Sequence, residues 1–198
     1  MAFSLAPRTE ASERALATTD GLPSRDGALL GQRLARRYGD RVTGSFTIPG
    51  REGSYAPIPD DVPDALKAAL KARGIEQLYS HQAEAWNATQ RGEHVAIVTP
   101  TASGKSLCYT LPVVSAAMQG NAKALYLFPT KALAQDQVAE LLELNKAGDL
   151  GVKAFTFDGD TPGDARQAIR LHGDIVVSNP DMLHQGILPH HTKWAQFF

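Results

Sequence analysis

The fold of this chain is decided by the segment Thr99-Pro100-Thr101-Ala102-Ser103-Gly104-Lys105-Ser106. It follows the apolar residues 95–98, which we predict to form a strand, and it precedes residues 107–118, whose pattern favours a helix. A strand, a loop of small residues, Gly-Lys-Ser and a helix together surround the phosphates of a nucleotide with backbone N–H groups. The sequence therefore predicts a nucleoside triphosphate site.

The residue types in this loop predict individual roles. We expect Lys105 to contact the β- and γ-phosphates and the Ser106 hydroxyl to ligate Mg²⁺, so these two are the candidate catalytic residues. The small residues are expected to surround the phosphates with their backbone: Thr101, Ala102, Ser103 and Gly104. Because Ala102 carries a Cβ atom, we expect the loop to avoid a left-handed backbone there.

Composition limits the class of protein. The 198 residues carry a net charge of −1, so binding of nucleic acid requires a local site rather than a basic surface. A single cysteine, Cys108, cannot form an internal disulfide, and no apolar stretch reaches the ~18 residues of a membrane span. The six histidines show no metal-ligand spacing with Cys108, so we expect no metal cluster, no membrane contact and a cytoplasmic location.

The chain divides by composition into two parts. Residues 1–57 are predicted to be a partly ordered arm with one helix at 28–38, and residues 58–198 to be one ATP-binding-type domain. Strands are predicted at 95–98, 124–128, 152–157 and 175–177. Three helices are predicted at 80–90, 107–118 and 131–145, and two more are predicted to end near residues 73 and 173. Repeated strand–helix units predict an α/β fold with a parallel sheet and helices on both faces.

Segments that follow the strands carry a second set of candidate residues. The carboxyl ends of parallel strands share one edge of the sheet, where free N–H groups of helix starts can receive phosphate oxygens. The candidates for contact with a nucleic-acid backbone are Pro129, Thr130, Lys131, Gly159, Asp160, Ser178, Asn179 and Pro180. The alternative for each of these segments is helix capping alone, and for Asp158 and Asp160 a turn or cap.

Residues from about 55 to 198 resemble the first motor domain of superfamily 2 DEAD/DEAH-box helicases. Leu78-Tyr79-Ser80-His81-Gln82 is similar to the Q motif, and residues 99–106 to the phosphate-loop motif. Residues 129–134, 158–161 and 178–181 stand where the family's strand-contacting motifs occur. The whole run is most similar to the branch that includes a bacterial mitomycin-repair helicase and fungal RecQ-like helicases.

This resemblance implies a RecA-like fold in which Gln82 hydrogen-bonds the adenine edge of ATP. It also implies that the parent protein binds and unwinds DNA and acts in DNA repair. One departure matters. The family's Asp-Glu-x-His motif is absent, because no Asp-Glu pair occurs in the 198 residues. We therefore expect a domain truncated at its C-terminal side, inactive in hydrolysis by itself and marginally stable, since flanking strands for residues 95–98 are missing.

Three functions remain open from the sequence. The first is the N-terminal part of an ATP-dependent DNA helicase. The second is a non-catalytic, nucleotide-responsive module that binds nucleic acid. The third is a different phosphate-loop enzyme such as a small-molecule kinase, which leaves residues 129–134 unexplained. Oligomeric state is not predicted by any of these patterns.

Overall fold

A computed structural model of the protein describes residues 27–44, 53–120 and 122–198, and the chain divides into two compact units between residues 52 and 53. The first unit contains helix α1 (Gly27–Tyr38), close to the predicted helix at 28–38, and a 3₁₀ turn (Gly39–Arg41). The rest of the predicted arm lies outside the described residues. Of the helices that are described, none is long and apolar enough to cross a membrane.

The second unit alternates strands and helices. Its strands are β1 (Tyr55–Ala56), β2 (Leu78–Tyr79), β3 (Ala124–Leu127), β4 (Ala154–Thr156) and β5 (Ile175–Ser178). Its helices are α2 (Asp64–Ala72), α3 (Ser80–Gln90), α4 (Ser106–Met118), α5 (Lys131–Gly148), α6 (Gly163–His172) and α7 (Pro180–Met182). A π-helical turn (Leu183–Ile187) and a 3₁₀ helix (Leu188–Trp194) follow α7.

A short antiparallel pair ties the start of this unit to the nucleotide motifs. β1 pairs with β2 in the register Tyr55↔Tyr79, and the Ser80 N–H donates to the Ser54 carbonyl oxygen over 2.8 Å. The unit thus begins at Gly53, a few residues before the predicted boundary at 57. A residue larger than glycine at position 53 would be in close contact with the Tyr79 ring, because a Cβ atom there would lie 2.8 Å from it.

The main sheet has three parallel strands in the order β3-β5-β4. Side chains of β5 alternate between two apolar clusters: Ile175 and Val177 pack with α2, α3, α4 and α5, while Val176 packs with Ile169 of α6 and with Trp194. Since neighbouring residues of a strand point to opposite faces, helical segments cover both faces of this sheet. The predicted α/β class with a parallel sheet is confirmed.

Residues 95–98 differ from the prediction. They form no strand or helix, and Val98 is 93% exposed. A strand exists through its hydrogen-bonded neighbours, and none of the described strands pairs with this segment. The apolar pattern of 95–98 was therefore sufficient to predict a strand but not to form one.

Candidate nucleotide and nucleic-acid site

The phosphate loop has a left-handed backbone at two positions. Ala102 has φ +60° and Gly104 has φ +74°, so the expectation that the loop avoids this region at Ala102 was wrong. Left-handed backbone at a residue with a Cβ atom costs about 1–2 kcal/mol. Both positions lie in the few residues that connect Thr99 to the start of α4 at Ser106.

Inside the loop, Lys105 is directed toward backbone oxygens. Its Nζ donates to the carbonyl oxygens of Thr99 at 2.9 Å and Pro100 at 2.5 Å. The hydroxyl oxygens of Thr99 and Ser103 are 2.7 Å apart and hydrogen-bonded. Phosphate oxygens are stronger partners for an ammonium group than neutral carbonyls, so these contacts are exchangeable for a bound phosphate tail. Thr101 and Ala102 are exposed at the tip of the loop.

Gln82 joins the Q-motif-like segment to the phosphate loop. Its side chain is 3% exposed, its Nε2 donates to the Gly104 carbonyl oxygen at 2.7 Å, and its Oε1 accepts from the Tyr79 N–H at 2.9 Å. A Cβ atom at position 104 would lie 2.6 Å from Nε2, so only glycine leaves room for this amide. Residues that are 22 positions apart in sequence therefore act as one site.

A cavity of about 660 Å³ opens beside Gln82 and Gly104. Tyr79 lines it, and the ring of Tyr55 stacks on Tyr79 with centroids 5.0 Å apart. Tyr55 is a site residue that the sequence analysis missed, because it falls within the segment assigned to the arm. The only sequence signal was an aromatic residue just after Gly53, and this does not reveal the pairing of β1 with β2.

Ser106 is the first residue of α4 and lines a second cavity of about 810 Å³ together with Lys105 and Tyr109. Tyr109 donates to the buried Gln137 side chain of α5. Burial raises the pKa of the Tyr109 phenol, whereas its hydrogen bond with Ser106 acts in the opposite direction. Burial also raises the pKa of the neighbouring Cys108 thiol, which is a buried free cysteine.

The candidate nucleic-acid residues lie along one edge of the parallel sheet, Ser178 at the end of β5 and the others after β3, β4 and β5. The Thr130 hydroxyl accepts from the Leu133 N–H at 3.3 Å, and the Asn179 side chain accepts from the Met182 N–H at 2.8 Å. Both therefore cap helices, with Pro180 at the first position of α7. Pro129 and Thr130 are exposed. Capping uses side-chain oxygens and leaves other N–H groups of the first turn free.

Ser178 differs from the other residues of this edge. Its hydroxyl is buried and donates to the Phe157 carbonyl oxygen at 2.6 Å. This bond holds the end of β5 to the end of β4, since Phe157 follows β4 directly. In this arrangement the Ser178 side chain positions two strand ends and does not face solvent.

The turn after β4 brings two predicted motifs into contact. Asp158 accepts from the Asp160 N–H at 2.9 Å and from the Thr161 hydroxyl at 3.3 Å, which is the turn role predicted for it. The Gly159 carbonyl oxygen accepts from Arg166 at 3.3 Å. Asp160 forms an ion pair with Lys131, with Oδ2 and Nζ 2.5 Å apart. The sequence does not reveal this pair, because its members are 29 positions apart.

Comparison with known proteins gives a consistent result. A family model described as DEAD/DEAH box helicase matches residues 79–197. The chain is 51% identical over 160 residues to the uncharacterized ATP-dependent helicase YprA of Bacillus subtilis, covering 80% of this chain and 21% of YprA. It is 42% identical over 156 residues to the ATP-dependent helicase hrq1 of Schizosaccharomyces pombe, covering 77% of this chain and 15% of hrq1.

A solved structure, the DUF1998 helicase MrfA bound to DNA and AMPPNP, is similar in sequence and fold. Its identity to this chain is 53% with a TM-score of 0.72, over 76% of this chain and 21% of MrfA. The chain therefore spans between 15% and 21% of the length of these three proteins. These matches leave the small-molecule kinase without support.

Proposed function

Because the chain belongs to the DEAD/DEAH box helicase family, we propose that residues 53–198 form the N-terminal nucleotide-binding part of an ATP-dependent DNA helicase. In this proposal the unit binds ATP and a nucleic-acid backbone, and hydrolysis drives strand unwinding only in a longer protein. The observation that carries the proposal is the contact between the Gln82 amide and the Gly104 backbone, which joins a base-reading side chain to the phosphate loop.

Gln82 keeps hydrogen-bonding capacity for a base. A primary amide has two N–H donors and a carbonyl oxygen with two acceptor positions. One donor is used on Gly104 and one acceptor position on Tyr79, which leaves one of each. Adenine offers a donor at its exocyclic amine and an acceptor at N7, and this pair matches the remaining capacity. The adjoining cavity of about 660 Å³ supplies the space, with the Tyr79 ring as an apolar wall.

The triphosphate is proposed to enter the loop in exchange for its internal contacts. The Lys105 ammonium donates to the Thr99 and Pro100 carbonyl oxygens at the start of the loop. The left-handed residues Ala102 and Gly104 turn the backbone of the loop toward α4. A phosphate tail would then be held by the Lys105 ammonium and by N–H groups at the start of this helix.

Magnesium fits this site only together with the nucleotide. The described residues contain no group of three or more His, Cys, Asp or Glu side chains that could hold a metal ion. The Ser106 hydroxyl, at the first residue of α4, supplies one oxygen of the kind that Mg²⁺ prefers. We propose that phosphate oxygens and water provide the remaining ligands, and that the ion neutralises phosphate charge when it is bound.

Nucleic-acid binding is proposed at the shared edge of β3, β4 and β5. Lys131 supplies a cation there, and the helices that Thr130 and Asn179 cap supply free N–H groups. Such groups contact phosphates and sugars and carry no direct sequence information. DNA is the proposed polymer because the similar MrfA structure contains DNA. Binding of the nucleic-acid backbone at this edge is compatible with the net charge of −1 of the chain, since such binding requires only a local site.

A non-catalytic nucleotide-binding module remains the second candidate. Efficient hydrolysis needs an acid that holds the metal and a Glu that orients water, and the 198 residues contain no Asp-Glu pair, so they carry the hydrolytic step of neither candidate. The two candidates predict the same binding by this chain. They differ in whether the complete gene product hydrolyses ATP when DNA is present.

The binding proposal is tested with a fluorescent ATP analogue and the 198-residue chain. We expect Mg²⁺-dependent binding that Lys105→Ala weakens by at least about tenfold, because a charge-assisted contact to phosphate is lost. Lys146→Ala is the matched control, since Lys146 is exposed in the last turn of α5, and it should bind like the parent. Equal binding by both variants would contradict the assignment of the phosphate loop.

The substitution Gln82→Glu tests whether Gln82 recognises the adenine base. This substitution removes the amide donor to Gly104 and the donor proposed for adenine, so we expect weaker binding of the adenine nucleotide and reduced preference for ATP over GTP. Circular dichroism of the variant controls for loss of fold. Retained preference for ATP in a folded Gln82→Glu variant would contradict the role of Gln82 in reading the base.

A cytoplasmic location and a role in DNA repair are further proposals. They rest on the family resemblance and on the absence of disulfide-forming cysteines in the sequence, which has Cys108 as its single cysteine. Microscopy of a tagged protein and survival of a deletion strain on DNA cross-linking agents would test them. A normal survival curve would contradict the repair role.

A further inference from the structure

The ion pair between Lys131 and Asp160 lies on the edge where nucleic acid is proposed to bind. Lys131 begins α5, and Asp160 lies in the turn after β4. We propose that the Asp160 carboxylate occupies the position of a backbone phosphate at Lys131, so that it competes with nucleic acid and sets the affinity of this edge. This inference rests on the proposed binding of nucleic acid and adds a residue that limits its affinity.

Asp160 lies in a turn whose backbone is held by several hydrogen bonds. Its N–H donates to the Asp158 side chain at 2.9 Å, and the Asp158 N–H donates to the Thr161 hydroxyl at 2.9 Å. Arg166 of α6 donates to the carbonyl oxygens of Thr161 at 2.9 Å and Asp158 at 3.0 Å. The guanidinium also lies over the Phe157 ring, 5.3 Å from its centroid. These contacts hold the backbone that carries the Asp160 carboxylate.

The pair is also accessible, as a displaceable contact must be. The Lys131 side chain is 51% exposed and that of Asp160 is 82% exposed. Exposed ion pairs contribute little to stability, so breaking this one costs the fold little. Each partner shifts the other toward its charged form: the carboxylate raises the pKa of Lys131, and the ammonium lowers the pKa of Asp160.

Competition follows from the chemistry of the two anions. A carboxylate and a phosphate both accept charge-assisted hydrogen bonds from an ammonium group in similar geometry. A phosphate that approaches Lys131 meets the negative Asp160 at close range and is repelled by it. Removing the Asp160 charge therefore frees Lys131 and removes the repulsion, and both changes favour nucleic acid.

The experiment measures binding of a labelled oligodeoxythymidylate to the 198-residue chain by fluorescence anisotropy at about 50 mM and about 200 mM salt. The variants are Asp160→Asn, Lys131→Gln and the double variant. Asp164→Asn is the matched control, because Asp164 is an exposed acid at the start of α6 and the substitution changes the net charge equally.

We expect Asp160→Asn to bind roughly three- to tenfold more tightly at the lower salt concentration, and Asp164→Asn to change affinity less than twofold. Lys131→Gln should weaken binding and lower the salt slope by about one. In the double variant most of the gain from Asp160→Asn should disappear, because the freed cation is missing. A gain that shrinks at the higher salt concentration completes the expected result.

The outcomes separate the inference from the proposed function. Equal effects of Asp160→Asn and Asp164→Asn, or a full gain in the Lys131→Gln background, would overturn the competition while leaving nucleic-acid binding in place. Weaker binding by a folded Asp160→Asn variant would show that Asp160 assists binding, and this also overturns it. If no variant binds the oligonucleotide, the proposed nucleic-acid function fails and the inference fails with it.

Discussion

Residues 95–98 and strand β5 are both short apolar segments, yet they differ in structure. Ile175, Val176 and Val177 of β5 are fully buried between β3 and β4, whereas Val98 is 93% exposed and its segment pairs with none of the strands that the structure describes. Composition does not separate the two segments, but hydrogen-bonded neighbours do. The comparison shows that an apolar segment becomes a strand through its hydrogen-bonded partner strands more than through its own side chains.

Hydrogen exchange should show the largest difference between these segments. We expect amides of β5 to exchange roughly a hundredfold or more slowly than those of residues 95–98, because β5 amides are hydrogen-bonded within a covered sheet. Mass spectrometry of deuterated peptides measures this. Comparable protection of both segments would break the comparison, since it would mean that residues 95–98 find a partner in solution.

Core truncation should separate the segments in stability. Ile175→Ala is expected to lower the free energy of unfolding by about 2–5 kcal/mol, because it leaves a cavity in a fully buried position. Val98→Ala should change it by less than about 0.5 kcal/mol, since the side chain is exposed. Urea denaturation followed by circular dichroism gives both values, and a large loss for Val98→Ala would contradict the exposed position.

Backbone strain at Ala102, in the loop that follows residues 95–98, should have a smaller effect on stability. Ala102→Gly should raise the free energy of unfolding by a few tenths to about 1 kcal/mol, because it relieves a left-handed alanine at the entropic cost of an added glycine. Ala139→Gly in the exposed face of α5 is the control of opposite sign and should lower stability by about 0.5–1 kcal/mol. If both substitutions destabilise equally, the left-handed backbone at Ala102 is refuted.

The smallest effect concerns the exposed pair at the sheet edge. The ammonium of Lys131 lowers the pKa of Asp160, so this pair favours the folded state above the ordinary aspartate pKa and loses its effect as pH falls through the lowered value. Carbon NMR titration should find Asp160 below its ordinary pKa, and Lys131→Met should return it upward. An unchanged Asp160 titration in that variant would show that the two side chains do not pair in solution.

Much of the fold was predictable because local patterns decide it. The sequence analysis predicted α3, α4, α5, β3 and β5 close to their observed bounds, since each combines apolar periodicity with a recognisable start or end. The α/β class and the helicase family are confirmed. The prediction of a strand at 95–98 was wrong, because pairing with distant strands is not encoded in four residues.

The candidate site was predictable in its motifs and not in its contacts. Lys105, Ser106 and Gln82 stand out by residue type and spacing, and their ligand roles stay predictions. The left-handed Ala102, the stacking of Tyr55 on Tyr79 and the Lys131–Asp160 pair come from three-dimensional placement. Such features join residues far apart in sequence or oppose a local preference, and no pattern in a single sequence carries them.

One amide has a consequence for how nucleotide preference can change in this protein. Because the Gln82 amide is hydrogen-bonded to both the Tyr79 N–H and the Gly104 carbonyl oxygen, any replacement there would alter the proposed base contact and the shape of the phosphate loop together. If Gln82 contacts the base as proposed, position 82 offers little freedom for changing the preference toward guanine. Glu76 and Gln77 line the same cavity, so under the proposed function they are the positions at which to alter the base while the Gln82 amide stays intact.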